Sequence, residues 1–227
     1  MRIISFRFDD GLWEGARKAV SVLNPYKASF FIVKNWLEDF DLPVLDEYNR
    51  GRYHGSIALW KEMSAMGQDI QAHSCTHQRF SSLSKAERDE ELSESIRLIR
   101  KIHDGPYFIC YPYNDITPDN LTMAGYDAAG FETRPSSTPI NWNNTSNLDV
   151  YRLKSWAIRE ENFFSICDQI KALPPDSWTI LAMHSLDGEG FSPWNSSNLK
   201  HLVEFISDLD FEILSIQEAY SKLCIDE

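Results

Sequence analysis

The chain has 227 residues, 43% hydrophobic and 25% charged, an ordinary globular balance that suits one larger domain over residues 1–227. A formal net charge of -12 repels phosphate backbones, so nucleic acid is excluded as an expected partner. No apolar run approaches the roughly 18 residues of a membrane span. No basic, apolar and cleavage regions open the chain in order, so a cytoplasmic location is the expectation.

Residues 3–8 form a short apolar run of β character that ends at Asp9-Asp10-Gly11. Leu12, Ala16, Ala19, Val20 and Leu23 recur at helical spacing, which predicts a helix over 12–23 stopped by Asn24-Pro25. Residues 28–33 read as a second buried strand, and 34–54, mixing Asp, Pro and aromatic residues, as a long loop or insertion. A helix over 56–66 closes at Gly67, and a third strand over 69–72 runs into His73. Ser84-Lys85-Ala86-Glu87 is a capping box that opens a helix over 84–102. A strand over 107–111 ends at Pro112. A helix is expected over 118–129, with Pro in its first turn and Gly130 at its end. A short strand over 131–134 precedes a polar loop over 135–148. After a segment at 151–158 come a helix over 161–173 and a strand over 178–183 that ends at His184. A helix over 198–209, a strand over 211–214 and a helix over 216–224 complete the chain. This alternation favours parallel strands joined by helical crossovers, hence an α/β layered or barrel fold.

The chemistry-bearing residues cluster by position. Asp9-Asp10, His73, Tyr113 and His184 all fall at or just after the C-terminal ends of predicted strands, the edge where α/β folds bind ligands. His73-Ser74-Cys75-Thr76-His77 sets two imidazoles four residues apart, which on a helical turn share one face and can hold one ion. A carboxylate is a natural third ligand, and Asp9-Asp10 can supply it. On an ideal strand those two side chains point to opposite faces, so the chain must leave strand geometry there, and Gly11 makes that turn easy. One carboxylate can then bind a metal while the other stays free as a base. A solvated turn with Asp10 capping the next helix fits the same residues. His184 suits a general acid beside a metal centre, or a hydrogen-bonded core residue. Asp187 and Glu189 either orient it or solvate a loop. His54, His103 and His201 read as surface residues, and the widely spaced Cys75, Cys110, Cys167 and Cys224 as free thiols.

Together these segments resemble the polysaccharide deacetylases, the fourth carbohydrate esterase family, also called the NodB-like domain, over most of the chain. Phe8-Asp9-Asp10-Gly11 is similar to its first motif and His73-Ser74-Cys75-Thr76-His77 to its second. Tyr111-Pro112-Tyr113 is similar to the end of its third, and Leu181-Ala182-Met183-His184 to its fifth. The resemblance implies a distorted (β/α) barrel of about seven strands. It implies Asp9 as general base, His184 as general acid, and Asp10, His73 and His77 as ligands of a divalent metal, usually zinc. It further implies that the Tyr113 N–H helps hold the oxyanion and that Leu181 lines the acetyl-methyl pocket. The implied reaction is metal-dependent hydrolysis of the N-acetyl group of an acetylated sugar or glycan.

The chain departs from the family pattern at two points. Cys110 stands where the third motif begins with an Arg that partners the catalytic Asp, and Arg134 is the expected replacement. The fourth motif, an Asp-Trp signature, has no matching Asp, with Trp142 or Trp156 as its apolar part and Trp142 as a further substrate contact. Of the other Trp residues, some are expected to line a sugar groove or to serve as core anchors. Two alternatives accompany this reading: hydrolysis of a small cyclic amide or ureide on the same fold, and a carbohydrate-binding domain with impaired catalysis. A lipid-linked or nucleotide-linked N-acetyl sugar is the expected kind of substrate.

Overall fold

The computed structural model describes residues 1–116 and 121–224. In these residues the chain forms β1 (Arg2–Phe8), α1 (Trp13–Leu23), β2 (Ser29–Ile32), α2 (Ile57–Ala65), β3 (Asp69–Ala72), α3 (Lys85–Ile102) and β4 (Phe108–Cys110). There follow α4 (Leu121–Ala124), β5 (Ala128–Gly130), β6 (Glu132–Pro135), β7 (Asn143–Asn144), β8 (Lys154–Ala157) and α5 (Phe163–Lys171). The last elements are β9 (Ser177–Met183), α6 (Ser196–Ser207), β10 (Glu212–Ile213) and α7 (Ile216–Cys224). The capping box is formed: Ser84 Oγ accepts from Glu87 N, and Glu87 Oε2 accepts from Ser84 N.

The sheet runs in the order β5-β4-β3-β2-β1-β9-β8-β6, with β10 on β1 and β7 on β9. Among the described strands only β7 pairs antiparallel; the others are parallel. The expected (β/α) barrel is therefore present, with eight strands along the path where about seven were anticipated. The difference arises at the seam. Only Phe131 separates β5 from β6, yet β5 pairs with β4 and β6 with β8. The chain turns there through Gly130 at φ 102 and Phe131 at φ 53. A Cβ on Gly130 would lie 2.9 Å from the Tyr151 carbonyl oxygen, so this turn requires glycine. The chain itself thus spans the gap between the two edges of the sheet.

Of the helix expected over 118–129, the described residues show one part. Leu121–Ala124 is helical, residues 117–120 lie outside the described residues, and Ala128–Gly130 is β5. These small residues pair in register with Phe108, Ile109 and Cys110, so tertiary pairing overrides the helix propensity of alanine. The polar stretch 135–148 contributes the two residues of β7.

Period-two alternation assigns each strand two faces. On β1, Ile4, Phe6 and Phe8 pack outward in the layer shared with helix residues such as Ala16, Ala19, Leu199 and Leu202. Ile3 faces the second cluster with Phe31, Phe108, Phe131, Trp178 and Ile180, which fills the barrel. α7 closes the end where the strands begin: Ile216 N donates to Ser29 Oγ, and Gln217 N to Asp69 Oδ2. Polar inward residues are left for the opposite end. No helix of the described residues is long and apolar enough to cross a membrane.

Candidate active site

At the C-terminal end of the strands lies a cavity of about 640 Å³ whose walls include Arg7, Asp9, Asp10, His73, His77 and His184. Arg7 and Asp9 extend the inward parity of β1. Arg7 Nη2 donates to Asp9 Oδ2 at 2.8 Å, and Nη1 to Ser155 Oγ at 3.0 Å. Both members of the pair are buried, and burial alone would pull the guanidinium down; the adjacent Asp9 carboxylate wins and raises it. Asp9 Oδ1 is buried without a hydrogen-bond partner.

Asp10 departs from strand geometry as the sequence requires, with φ 73, followed by Gly11 at φ 65. Its Oδ1 lies 3.5 Å from His73 Nε2 and 3.3 Å from His77 Nε2. The ligand atoms of these three residues lie within 4.8 Å of one another, and all three residues are buried. Residues 73–77 form no helical turn. Ser74 at φ 68 and His77 at φ 59 are left-handed, and Ser74 Oγ accepts from His77 N at 3.0 Å. The imidazoles converge through this looped backbone. Glu91 of α3 clamps the loop by accepting from Cys75 N, Thr76 N and Thr76 Oγ1 at 2.6, 3.0 and 2.6 Å.

The donor set fits a divalent cation. His73 Nδ1 lies 2.7 Å from the Cys110 carbonyl oxygen, which fixes the tautomer and leaves Nε2 facing Asp10. Asp10 Oδ1 has no hydrogen-bond donor in its buried position. Burial pushes the Asp10 carboxyl up, but the two imidazoles outweigh it and hold it well below the usual carboxylate range. Burial opposes a charged His73, yet Cys110 and Asp10 beside it push the imidazole well above its usual value. One carboxylate and two imidazoles converging in this way form a group able to hold a cation.

The remaining expected site residues divide. His184 and Tyr113 line the cavity; Phe191 packs edge-on to His184 at 5.3 Å, and the Tyr113 hydroxyl donates to Asp46 Oδ2 at 3.3 Å. Arg134 does not meet Asp9. It is exposed and reaches Glu132 at 3.3 Å, because its position on β6 turns it away from the barrel, while Arg7 takes the partnership. Leu181 does not line the cavity. It is fully buried in the outer layer, and its neighbour Ala182, with Ala157, faces the site instead. Trp142 is half-buried against the helix-side core, and Trp156 is fully buried there. Trp13, Trp60 and Trp194 are core anchors, while Trp36 lies between His54 and His77, tilted to both, with ring centroids at 5.0 and 4.8 Å.

Asp187 and Glu189 are engaged away from His184, Asp187 with Lys18 and Ser196 N, and Glu189 with Gly15 N. His54 is buried, with Nδ1 3.0 Å from the Asp10 carbonyl oxygen; burial lowers its basicity. His103 contacts Ser64, and His201 is exposed. Cys75, Cys110 and Cys167 are buried free thiols, while Cys224 is exposed. Sequence reasoning missed Arg7, Asp46, Asn49 and Glu91. Only Arg7 left a clear signal: a charge two residues before Asp9, between two phenylalanines near the end of β1.

The sequence model of the polysaccharide deacetylase family matches residues 1–132. No protein of curated function matches the chain by sequence. Among solved structures, PdaA of Bacillus subtilis, a family 4 carbohydrate esterase, superposes with a TM-score of 0.60 at 16% identity, covering 97% of this chain and 81% of that one. The peptidoglycan deacetylase PdaC of Bacillus subtilis, solved as a mutant, gives 0.61 at 14% identity over 97% and 90% of the two chains. A family 4 pseudoenzyme from Bacillus anthracis gives 0.56 at 14% identity over 96% and 65%. At these identities the likeness is one of fold, and the match over more than half the sequence decides the family: the chain belongs to the polysaccharide deacetylases, hydrolases of the amide bond of N-acetyl groups.

Proposed function

We propose that this protein is a metal-dependent deacetylase that hydrolyses the N-acetyl group of an acetylated sugar or glycan. Asp10, His73 and His77 would hold the cation, and two imidazoles with one carboxylate suit zinc. The observation that carries the reading is Asp10 Oδ1, buried, without a donor, and 3.3–3.5 Å from two imidazole nitrogens. When bound, such a cation polarises the amide carbonyl and makes water a nucleophile near neutral pH.

The protein's own groups supply the rest. Arg7 holds Asp9 Oδ2 and leaves Oδ1 unpaired, so Oδ1 is the atom placed to take a proton from the attacking water. The Tyr113 N–H is assigned to the oxygen that gains negative charge as the carbonyl becomes tetrahedral. His184 gives a proton to the departing amine, which is too basic to leave unprotonated. Ala157 and Ala182, small side chains on the cavity wall, leave room for the acetyl methyl. The reading of a catalytically impaired binding domain drew on Cys110 in the place of an arginine and on the unmatched fourth motif; on the first point the buried Arg7–Asp9 pair supports the hydrolase instead.

Acetate release from N-acetylated sugars, measured before and after chelation and zinc re-addition, tests the proposal. Asp9→Asn should retain zinc yet lose about 10²–10⁴ in turnover, the span of general base catalysis. Asp10→Ala and His73→Ala should lose zinc affinity. Full activity of both classes in metal-free buffer would sink the scheme.

A further inference from the structure

Beyond the three proposed ligands, the loop between β2 and α2 reaches back over the site. Asn49 is 1% exposed, and its Nδ2 donates to Asp10 Oδ2 at 3.0 Å and to Asp46 Oδ1 at 2.9 Å. Asp46 Oδ1 also accepts from Tyr48 N and Asn49 N at 3.0 and 3.1 Å, which folds residues 46–49 into a turn. Asp46 Oδ2 lies 4.0 Å from His77 Nδ1, a buried nitrogen without a hydrogen-bond partner.

We propose that Asn49 and Asp46 are positioning residues of the cation site, each fixing one ligand from its outer side. Asn49 engages the Asp10 oxygen that does not face the imidazoles, so the other oxygen, Oδ1, stays turned toward His73 and His77. Asp46 offers a carboxylate to the outer nitrogen of His77, which keeps the proton there and the lone pair on Nε2. His73 receives the same service from the Cys110 carbonyl, so each proposed ligand faces an outer group, hydrogen-bonded at Asp10 and His73 and at 4.0 Å beside His77. The inference rests on the proposed metal-dependent function and adds that a loop with none of the family motifs sets the affinity of the site.

Zinc dissociation constants, measured by competition with a chromophoric chelator on the full chain, test it. Asn49→Ala and the isosteric Asp46→Asn should each weaken zinc binding by about 10- to 100-fold, the usual effect of removing an outer partner. Asn49→Gln, which keeps the amide, should recover part of the loss. Metal-free melting temperatures identify any variant that fails to fold, and Asp46→Asn, which preserves shape, then decides. Folded variants that bind zinc within twofold of wild type overturn this inference and leave the deacetylase reading intact. A wild-type protein that binds no divalent cation overturns both.

Discussion

Replacing Arg7 by Met separates the observed partner of Asp9 from the one expected at Arg134. The Arg7 and Asp9 side chains are 3% and 7% exposed, and Arg7 also donates to Ser155 Oγ. Removing one member of a buried pair leaves the other charge uncompensated and costs about 3–5 kcal/mol. For a chain of this size that corresponds to a melting temperature lower by roughly 6–20 °C. Removing both charges with Arg7→Met and Asp9→Asn together should restore most of the stability, because a neutral pair of similar volume carries no desolvated charge. Arg134→Ala, at an exposed pair, should stay within about 0.5 kcal/mol of wild type. Urea denaturation of the four proteins gives these differences, and acetate release should fall with Arg7→Met but not with Arg134→Ala. The reasoning fails if Arg7→Met costs under about 1 kcal/mol, well below the range for breaking a buried pair, or if the double variant is no more stable than the single.

Without metal, the raised His73 imidazole contributes stability that is full below its ordinary value of 6.5 and is lost as pH rises through its folded value. The depressed Asp10 carboxyl contributes stability present above 3.8 and lost as pH falls. The metal-free protein should therefore weaken from about pH 6.5 upward, while zinc, which displaces protons, binds tighter over the same range; denaturation midpoints with and without zinc check both. Glu91→Ala leaves three donors of the 74–76 loop without an acceptor and should lower both stability and zinc affinity, with Glu91→Gln intermediate in chelator competition and melting assays. Leu181→Ala should cost about 2–5 kcal/mol in denaturation without changing substrate preference. Ala182→Leu, on the cavity side, should instead raise KM or abolish acetate release.

Much of the scaffold was legible because the chain carries strong local signals. Asp69–Ala72 and Ile216–Cys224 appear with the expected bounds, and the capping box at Ser84 forms. The cluster of Asp10, His73 and His77 was legible because strand ends place such residues on one edge of the barrel. The errors share another origin, the facing of side chains. Leu181 is adjacent to Ala182 in sequence, but strand alternation puts them on opposite faces. Arg134 stood at a strand end, yet β6 turns it outward, while Arg7 at inward parity with Asp9 was the partner to choose. Asn49 and Asp46 sit in an irregular loop, where no period exists to place them, and only the folded chain brings them to Asp10 and His77.

The adjacent carboxylates show how one backbone turn divides the labour of the site. An unbroken β1 would send Asp9 inward beside Arg7 and Asp10 outward among Phe6 and Phe8, where an ionised carboxylate has no counter-charge. The left-handed conformation of Asp10 prevents that, and aspartate tolerates it better than most residues. Gly11 completes the turn in tight space, since a Cβ there would meet Ile32 Cγ2 at 3.0 Å. The result is two carboxylates on one cavity with separate compensation, a guanidinium for Asp9 and two imidazoles for Asp10. Because the compensation differs, the two proposed roles do not interchange: Asp9 Oδ1 is left unpaired beside a guanidinium-bound Oδ2, while Asp10 Oδ1 faces two imidazole nitrogens.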